Sequence, residues 1–183
     1  MSMMIWIPDL LTASRFLLAA LVVALGAARG RDAVPLVLML VMVAWISDNL
    51  DGFIARRIPN RQPSWLGRHE FAVDVIFTWA TLAFIVLAGF LPWWLGVSYT
   101  LLALIVAALA QRKPITIIFL RIIDVTAGLL VLWFYPELGL LLMAFLLTLA
   151  AVQWPRLSRD SVAWAKTVWE LMRDFVRGRH SAS

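Results

Sequence analysis

Four carboxylates, Asp48, Asp51, Glu70 and Asp74, flank one connection between two long apolar runs. A single carboxylate in hydrocarbon costs roughly 3 to more than 10 kcal/mol, so four around one connection require compensation. Bound cations are the simplest form of it. Asp48 and Asp51 have a spacing of three and Glu70 and Asp74 a spacing of four, which places each pair on one face of a helix. Facing pairs of acids offer oxygen ligands suited to hard divalent cations such as Mg²⁺ or Mn²⁺, and their charge matches two such ions. The competing reading is a solvated acidic collar, salt-bridged to Arg56, Arg57, Arg61 and Arg68. Two helix-spaced pairs meeting across a hairpin favour metal over the collar.

The elements that would position these acids read as membrane spans. Of the 183 residues, 63% are hydrophobic and only 15% charged, and the mean hydropathy is +0.89. A soluble domain of that composition would expose an apolar surface that water does not tolerate. The expected architecture is an all-α integral membrane protein. About 20 residues cross a bilayer core as a helix, and six windows of that kind occupy residues 10–28, 33–54, 66–90, 91–110, 115–135 and 138–152. Gly30, Pro59 to Pro63, Gly89 to Pro92, Lys113-Pro114 and Pro136 punctuate them. The boundary at Gly89 to Pro92 has hardly any polar residue, and fusion of the windows on either side of it would invert the topology. The first run has no clean cleavage site and reads as a retained span rather than a signal peptide.

Lys and Arg in short connections orient the chain. Arg56, Arg57, Arg61 and Arg68 fall between windows two and three, and Arg112 and Lys113 between four and five. The tail adds Arg156, Arg159, Lys166, Arg173, Arg177 and Arg179. These positions predict cytoplasmic N- and C-termini and a cytoplasmic acid cluster, with Arg29 and Arg31 a mild exception on the outer side. The division expected is a six-helix membrane domain over 1–155, opened by a juxtamembrane segment, and an amphipathic interfacial helix and tail over 156–183. In that tail Val162, Ala165, Val168, Trp169, Met172, Phe175 and Val176 form an apolar stripe opposite Lys166, Glu170, Arg173, Asp174 and Arg177, which suits a helix lying on a membrane surface. With pI about 10.7, this basicity is placed for anionic lipid headgroups, and no nucleic-acid module is visible. Cysteine is absent, which excludes thiolate metal sites and disulfides.

Small residues sit beside the first acid pair. Gly52 inside a helix costs about 1 kcal/mol relative to Ala, which points to a close approach to the backbone. Ala55 shares its side, and Arg56 is placed to hold a phosphate.

The run Asp48-Asn49-Leu50-Asp51-Gly52-Phe53-Ile54-Ala55-Arg56 resembles the D-x-x-D-G-x-x-A-R signature of the CDP-alcohol phosphatidyltransferases, with Asp48, Asp51, Gly52, Ala55 and Arg56 matching at each signature position. The family pattern continues with eight residues, Gly, three residues, Asp, three residues and Asp. Here Arg56 is followed by ten residues, Gly67, two residues, Glu70, three residues and Asp74. The loop is one residue longer and the third acid is Glu. Ile7-Pro8-Asp9-Leu10-Leu11-Thr12-Ala13-Ser14-Arg15 also resembles the P-N-x-L-T-x-x-R opening of the glycerol-phosphate branch, with Asp9 in place of Asn. The resemblance implies six spans and phospholipid biosynthesis: transfer of a phosphatidyl group from CDP-diacylglycerol to a small alcohol, with glycerol 3-phosphate the favoured acceptor, and release of CMP. It implies two Mg²⁺ or Mn²⁺ ions on Asp48, Asp51, Glu70 and Asp74, with Asp74 also the catalytic base. Gly52, Ala55 and Arg56 would contact the CDP moiety, and a homodimer would be expected; separately, the lack of an organelle-targeting signal favours a bacterial inner membrane.

Three further charges call for reading. Lys113 opens the fifth window, while Arg121 and Asp124 lie two to three turns inside it, where charge is either paired or lines a polar cavity. Lys113 and Arg121 are candidates for binding an acceptor phosphate; Arg121 and Asp124, at i,i+3, could instead neutralise each other. Arg15 is read as a side chain that snorkels to the interface from the end of the first span, and His69 as a residue near the acids. Two other functions remain open at this stage, a divalent-cation transporter and a non-catalytic or altered-specificity member of the same family.

Overall fold

The computed structural model describes residues 3–55, 69–111 and 113–154, together with 166, 169, 170 and 173. Six helices make up its main body: α1 Met3–Arg29, α2 Val34–Ala55, α3 Glu70–Leu87, α4 Trp93–Ala110, α5 Lys113–Phe134 and α6 Pro136–Val152. There is no strand among the described residues. Each helix is a run of Leu, Ala, Val and Ile, and a helix satisfies every backbone polar group within its own segment, as an apolar solvent demands.

Local chemistry ends the helices where the punctuation predicts. Gly30 takes φ +53 and leads the 3-10 turn Gly30–Ala33 between α1 and α2. Gly89, at φ +71, and Pro92, extended at the head of α4, break the nearly all-apolar stretch between α3 and α4. The two windows there are therefore separate helices. Gln111 adopts the left-handed conformation that closes α4, its N–H donating to the Ala107 carbonyl at 2.9 Å. Pro136 opens α6, where a missing N–H is harmless.

α1 packs most extensively against α3 and α2; α3 then meets α5, and α5 meets α6 and α4. The core at the first of these junctions holds Ala19, Val22, Val34, Val37, Phe77, Ala80 and Phe84. The exterior is apolar as well: Leu17, Met39, Trp93, Leu101, Leu104, Leu109, Leu129 and Leu147 are all exposed. Segments Leu10–Leu50, Trp93–Ala110 and Lys113–Phe134 are long and apolar enough to cross a membrane, the first of them divided by the 3-10 turn into α1 and α2. Phe71–Leu87 and Pro136–Val152 are apolar but shorter. An apolar exterior on apolar helices marks a membrane protein.

Arg31 ties the turns at one end together. Its guanidinium donates to the carbonyls of Ala88 at 3.2 Å and Gly89 at 2.8 Å. It also lies 4.8 Å from the centroid of Phe90 and 5.6 Å from that of Phe134, while the Tyr135 hydroxyl donates to its backbone carbonyl. Its place at that end thus has a packing reason. Of the tail, Lys166, Trp169, Glu170 and Arg173 are helical and exposed; the rest of the amphipathic stripe lies outside the described residues.

α5 and α6 meet closely at Gly139, where an added Cβ would come within 2.5 Å of Leu132 Cα. A Cβ on Gly128 would find nothing nearer than 3.9 Å. Gly139→Ala should destabilise the detergent-solubilised protein by about 1–3 kcal/mol through overpacking, whereas Gly128→Ala should be neutral or gain up to about 1 kcal/mol in helix propensity. Thermal unfolding of the two variants against wild type checks this, and equal melting shifts would refute it.

Candidate active site

The helix order brings the end of α2, the starts of α3 and α5 and the end of α6 to the end of the bundle opposite Arg31. A cavity of about 580 Å³ opens there. Asp48 and Asn49 from α2, Asp74 and Thr78 from α3, Arg121 and Asp124 from α5, Gln153 beyond α6 and Arg15 from α1 supply its polar lining. Trp45 and Phe145 stack at 6.3 Å between centroids and fix α2 against α6 beside it. Asn49 donates to the Trp45 carbonyl at 2.7 Å, which turns its amide back onto its own helix.

Arg15 departs from the snorkelling expected of it. Its side chain is only 2% exposed, held where α1 packs between α2 and α3. One guanidinium nitrogen, Nη1, donates to Asp48 Oδ1 at 2.6 Å and also to Asp74 Oδ1, and Nη2 reaches the Thr12 hydroxyl at 3.4 Å. The physical reason is that two carboxylates on neighbouring helices offer a buried guanidinium more than interfacial water does, since hydrogen bonds to charged groups are about twice as strong as neutral ones. Sequence reading missed this because its partners lie on two other helices. The signal available was one arginine inside an apolar run of a chain whose next two runs carry acids at their adjoining ends.

Asp48 and Asp74, by contrast, face the cavity, with side chains 44% and 41% exposed. The two predicted acid pairs thus each contribute one described carboxylate to a common cavity and a common arginine. The side chains of Asp51, Ala55 and Glu70, the surroundings of Gly52, and all of Arg56 and Gly67 lie outside the described residues. Among the described residues no group of three His, Asp or Glu side chains converges as a metal site. The donors that are described fit a hard divalent cation in kind: they are exposed carboxylates, and a carboxylate has about four lone-pair positions, more than one guanidinium occupies.

Arg121 and Asp124 realise the pairing that their spacing allows, with Nη1 to Oδ2 at 2.9 Å, and both also line the cavity. Arg121 is 69% exposed and Asp124 19%. Lys113, at the first position of α5, is exposed and not part of the lining. His69 precedes α3, exposed, with its carbonyl accepting from the N–H groups of Ala72 and Val73. From Trp45, Phe77 and Asp124 a narrower crevice continues between α2, α3 and α5, lined by Val37, Val41, Phe84 and Leu142 and, apart from Thr81 and Tyr135, without further polar side chains.

Replacing Arg15 by Met should leave two carboxylates facing each other across an apolar gap. The expected loss is about 2–3 kcal/mol, the scale of breaking a buried ion pair reduced by the exposure of both acids. Coupling is the sharper measure: in an Asp48→Asn/Asp74→Asn background the same substitution should be markedly less destabilising. An equal penalty in both backgrounds would mean that Arg15 acts by packing alone. Comparison with known protein families, characterised proteins and solved structures finds no match to this chain.

Proposed function

We propose that the chain is a metal-dependent phosphatidyltransferase of the CDP-alcohol type, which moves a phosphatidyl group from CDP-diacylglycerol to a small alcohol, glycerol 3-phosphate being the favoured acceptor. In this reading all six helices cross a bacterial inner membrane, both termini are cytoplasmic, and the cavity opens on the cytoplasmic side. The observation that carries it is the meeting of Asp48, from the D-x-x-D-G-x-x-A-R run, with Asp74, from the second acid pair, at the wall of one cavity. The resemblance requires those two motifs to work on one substrate, and the helix packing puts them within reach of one side chain.

Asp48, Asp51, Glu70 and Asp74 would hold two Mg²⁺ or Mn²⁺ ions, which when bound would neutralise the diphosphate and the phosphate that leaves with CMP. The remaining roles fall to the chain itself. Asp74 takes the proton from the acceptor hydroxyl. The acceptor oxygen forms a bond to the lipid-side phosphorus, and the bond from that phosphorus to the bridging oxygen breaks, so that CMP departs with the electron pair. Gly52 and Ala55 leave room for the cytidine diphosphate, and Arg56 contacts its phosphate. Arg121 faces the cavity as a docking point for an acceptor phosphate, and Lys113 attracts anions at the head of α5. Arg15 sets the distance between Asp48 and Asp74.

The apolar lining beyond Asp124 favours an enzyme over a transporter, because a cation path would need ligands continuing to the far end of the bundle. Purified protein incubated with CDP-diacylglycerol, Mg²⁺ or Mn²⁺ and a panel of alcohols should release CMP only when an alcohol is present. Asp74→Asn should lower that rate by about 10²–10⁴-fold, the usual contribution of a general base. CMP release that ignores the alcohol, or an unimpaired Asp74→Asn variant, would sink the proposal; cation uptake by proteoliposomes would support the transporter instead.

A further inference from the structure

Among the described residues lining the cavity there are two cations, and they are placed in opposite ways. Arg15 is buried and committed to Asp48 and Asp74. Arg121 is 69% exposed and holds a single carboxylate of its own helix, that of Asp124, at 2.9 Å. An anion that enters this cavity therefore meets Arg121, and meets it already neutralised. A guanidinium has five N–H donors in a planar fork that matches phosphate bidentately. Asp124 takes an Nη1 N–H of that fork, and its fixed negative charge, one turn away on the same helix, repels an incoming phosphate.

The pair has the balance that a displaceable counter-ion needs. Asp124 is anchored among α5 neighbours and largely covered, whereas Arg121 is long and exposed, so the guanidinium is the partner able to turn toward a ligand. The apolar crevice of Val37, Val41 and Leu142 begins at the Asp124 carboxylate, whereas Arg121 lines the wider cavity, where a ligand would enter. With Asp124 in place, the pair is neutral at rest and the cavity floor carries no stored charge.

We propose that Asp124 is an intramolecular counter-anion that occupies Arg121 until the phosphate of an acceptor alcohol displaces it, and that it thereby sets how strongly the cavity discriminates phosphorylated from neutral alcohols. This rests on the acceptor assignment made above. The competing source of the same chemistry is the diphosphate of the nucleotide. It is assigned instead to the end of the cavity that holds Asp48 and Asp74, on α2 and α3, whereas Arg121 belongs to α5.

Binding, measured without turnover, separates these possibilities. Inorganic phosphate, glycerol 3-phosphate, glycerol and CDP are each titrated into the full chain in detergent, by calorimetry or by shift of the melting temperature. Asp124→Asn should tighten phosphate and glycerol 3-phosphate by about tenfold, leaving glycerol and CDP unchanged, since it removes both the competitor and the like charge. Asp124→Ser is a second neutral variant should the first fail to fold. Asp124→Glu should stay within about twofold of wild type, because the longer acid keeps the i,i+3 pair, and Arg121→Ala should abolish the phosphate response. In the CMP assay, Asp124→Asn should lower KM for glycerol 3-phosphate with kcat unchanged. Unchanged or weaker phosphate binding in the neutral variants, or tightening of CDP alone, would overturn the proposal. Because phosphate binding needs no phosphatidyl transfer, it tests Asp124 even if the chain releases no CMP.

Discussion

The architecture depends on one buried guanidinium. Arg15 is the point at which α1, α2 and α3 are joined by charge as well as by packing, and its contacts with Asp48 and Asp74 lie on the wall of the cavity. A guanidinium that is 2% exposed would be prohibitive alone. Two carboxylates that face each other across a hairpin would be costly alone as well. Each makes the other tolerable, so the fold and the site share a constraint. Arg15 holds the two acids to one point, and their charge adds to the apolar packing that seats α1 between α2 and α3. The apolar core of Ala19, Val22, Phe77 and Phe84 continues that junction toward the other end, where Arg31 clasps the carbonyls of Ala88 and Gly89.

The two arginines illustrate how a membrane bundle uses charge. Arg31 satisfies carbonyls released by a turn and covers aromatic faces, so it stabilises a place where backbone hydrogen bonding runs out. Arg15 satisfies side chains instead and leaves their outer atoms facing a cavity. The first is a device for closing the bundle; the second keeps part of it open. Polar side chains collect at one end, where Asp48, Asp74, Arg121 and Asp124 line one space, while at the other the rings of Phe90, Phe134 and Tyr135 pack together.

Much of this was legible in the sequence because its strongest signals are local. Apolar runs, Gly30, Gly89, Pro92 and Pro136 predict where helices stop, and the helix ends fall at those residues since a left-handed φ or a missing N–H acts within a few positions. The window opening at residue 10 is shorter than α1, which starts at Met3, because hydropathy measures burial in lipid and not helicity. The spacing of Arg121 and Asp124 likewise allows their ion pair, one of the two readings open from the sequence. Arg15 was not legible in the same way. A lone arginine near a span end reads as a snorkelling side chain, and only the packing of α1 against two other helices shows that its partners are Asp48 and Asp74. For Arg31 too the position was visible and the reason was not, since Ala88 and Phe134 are remote in sequence.

Depth gives the polar lining its meaning. Asp124 stands midway along the 22 residues of α5, about 16 Å from its first residue at a rise of about 1.5 Å per residue. A charge pair at that depth is tolerated where protein and water surround it, and the cavity supplies both. Polar chemistry therefore reaches the middle of the bundle from one end only, while the crevice beyond Asp124 is apolar. A phosphatidyl donor carries a water-seeking diphosphate on an oil-seeking body, and its acceptor is wholly water-soluble. Under the proposed function, a space that is polar at its mouth and floor and apolar beyond would let both reach one carboxylate while the body of the donor stays among apolar side chains. In that reading, the pairing of a polar cavity with an apolar crevice beyond it is what would bring a soluble and a membrane-bound reactant together without a charged path across the membrane.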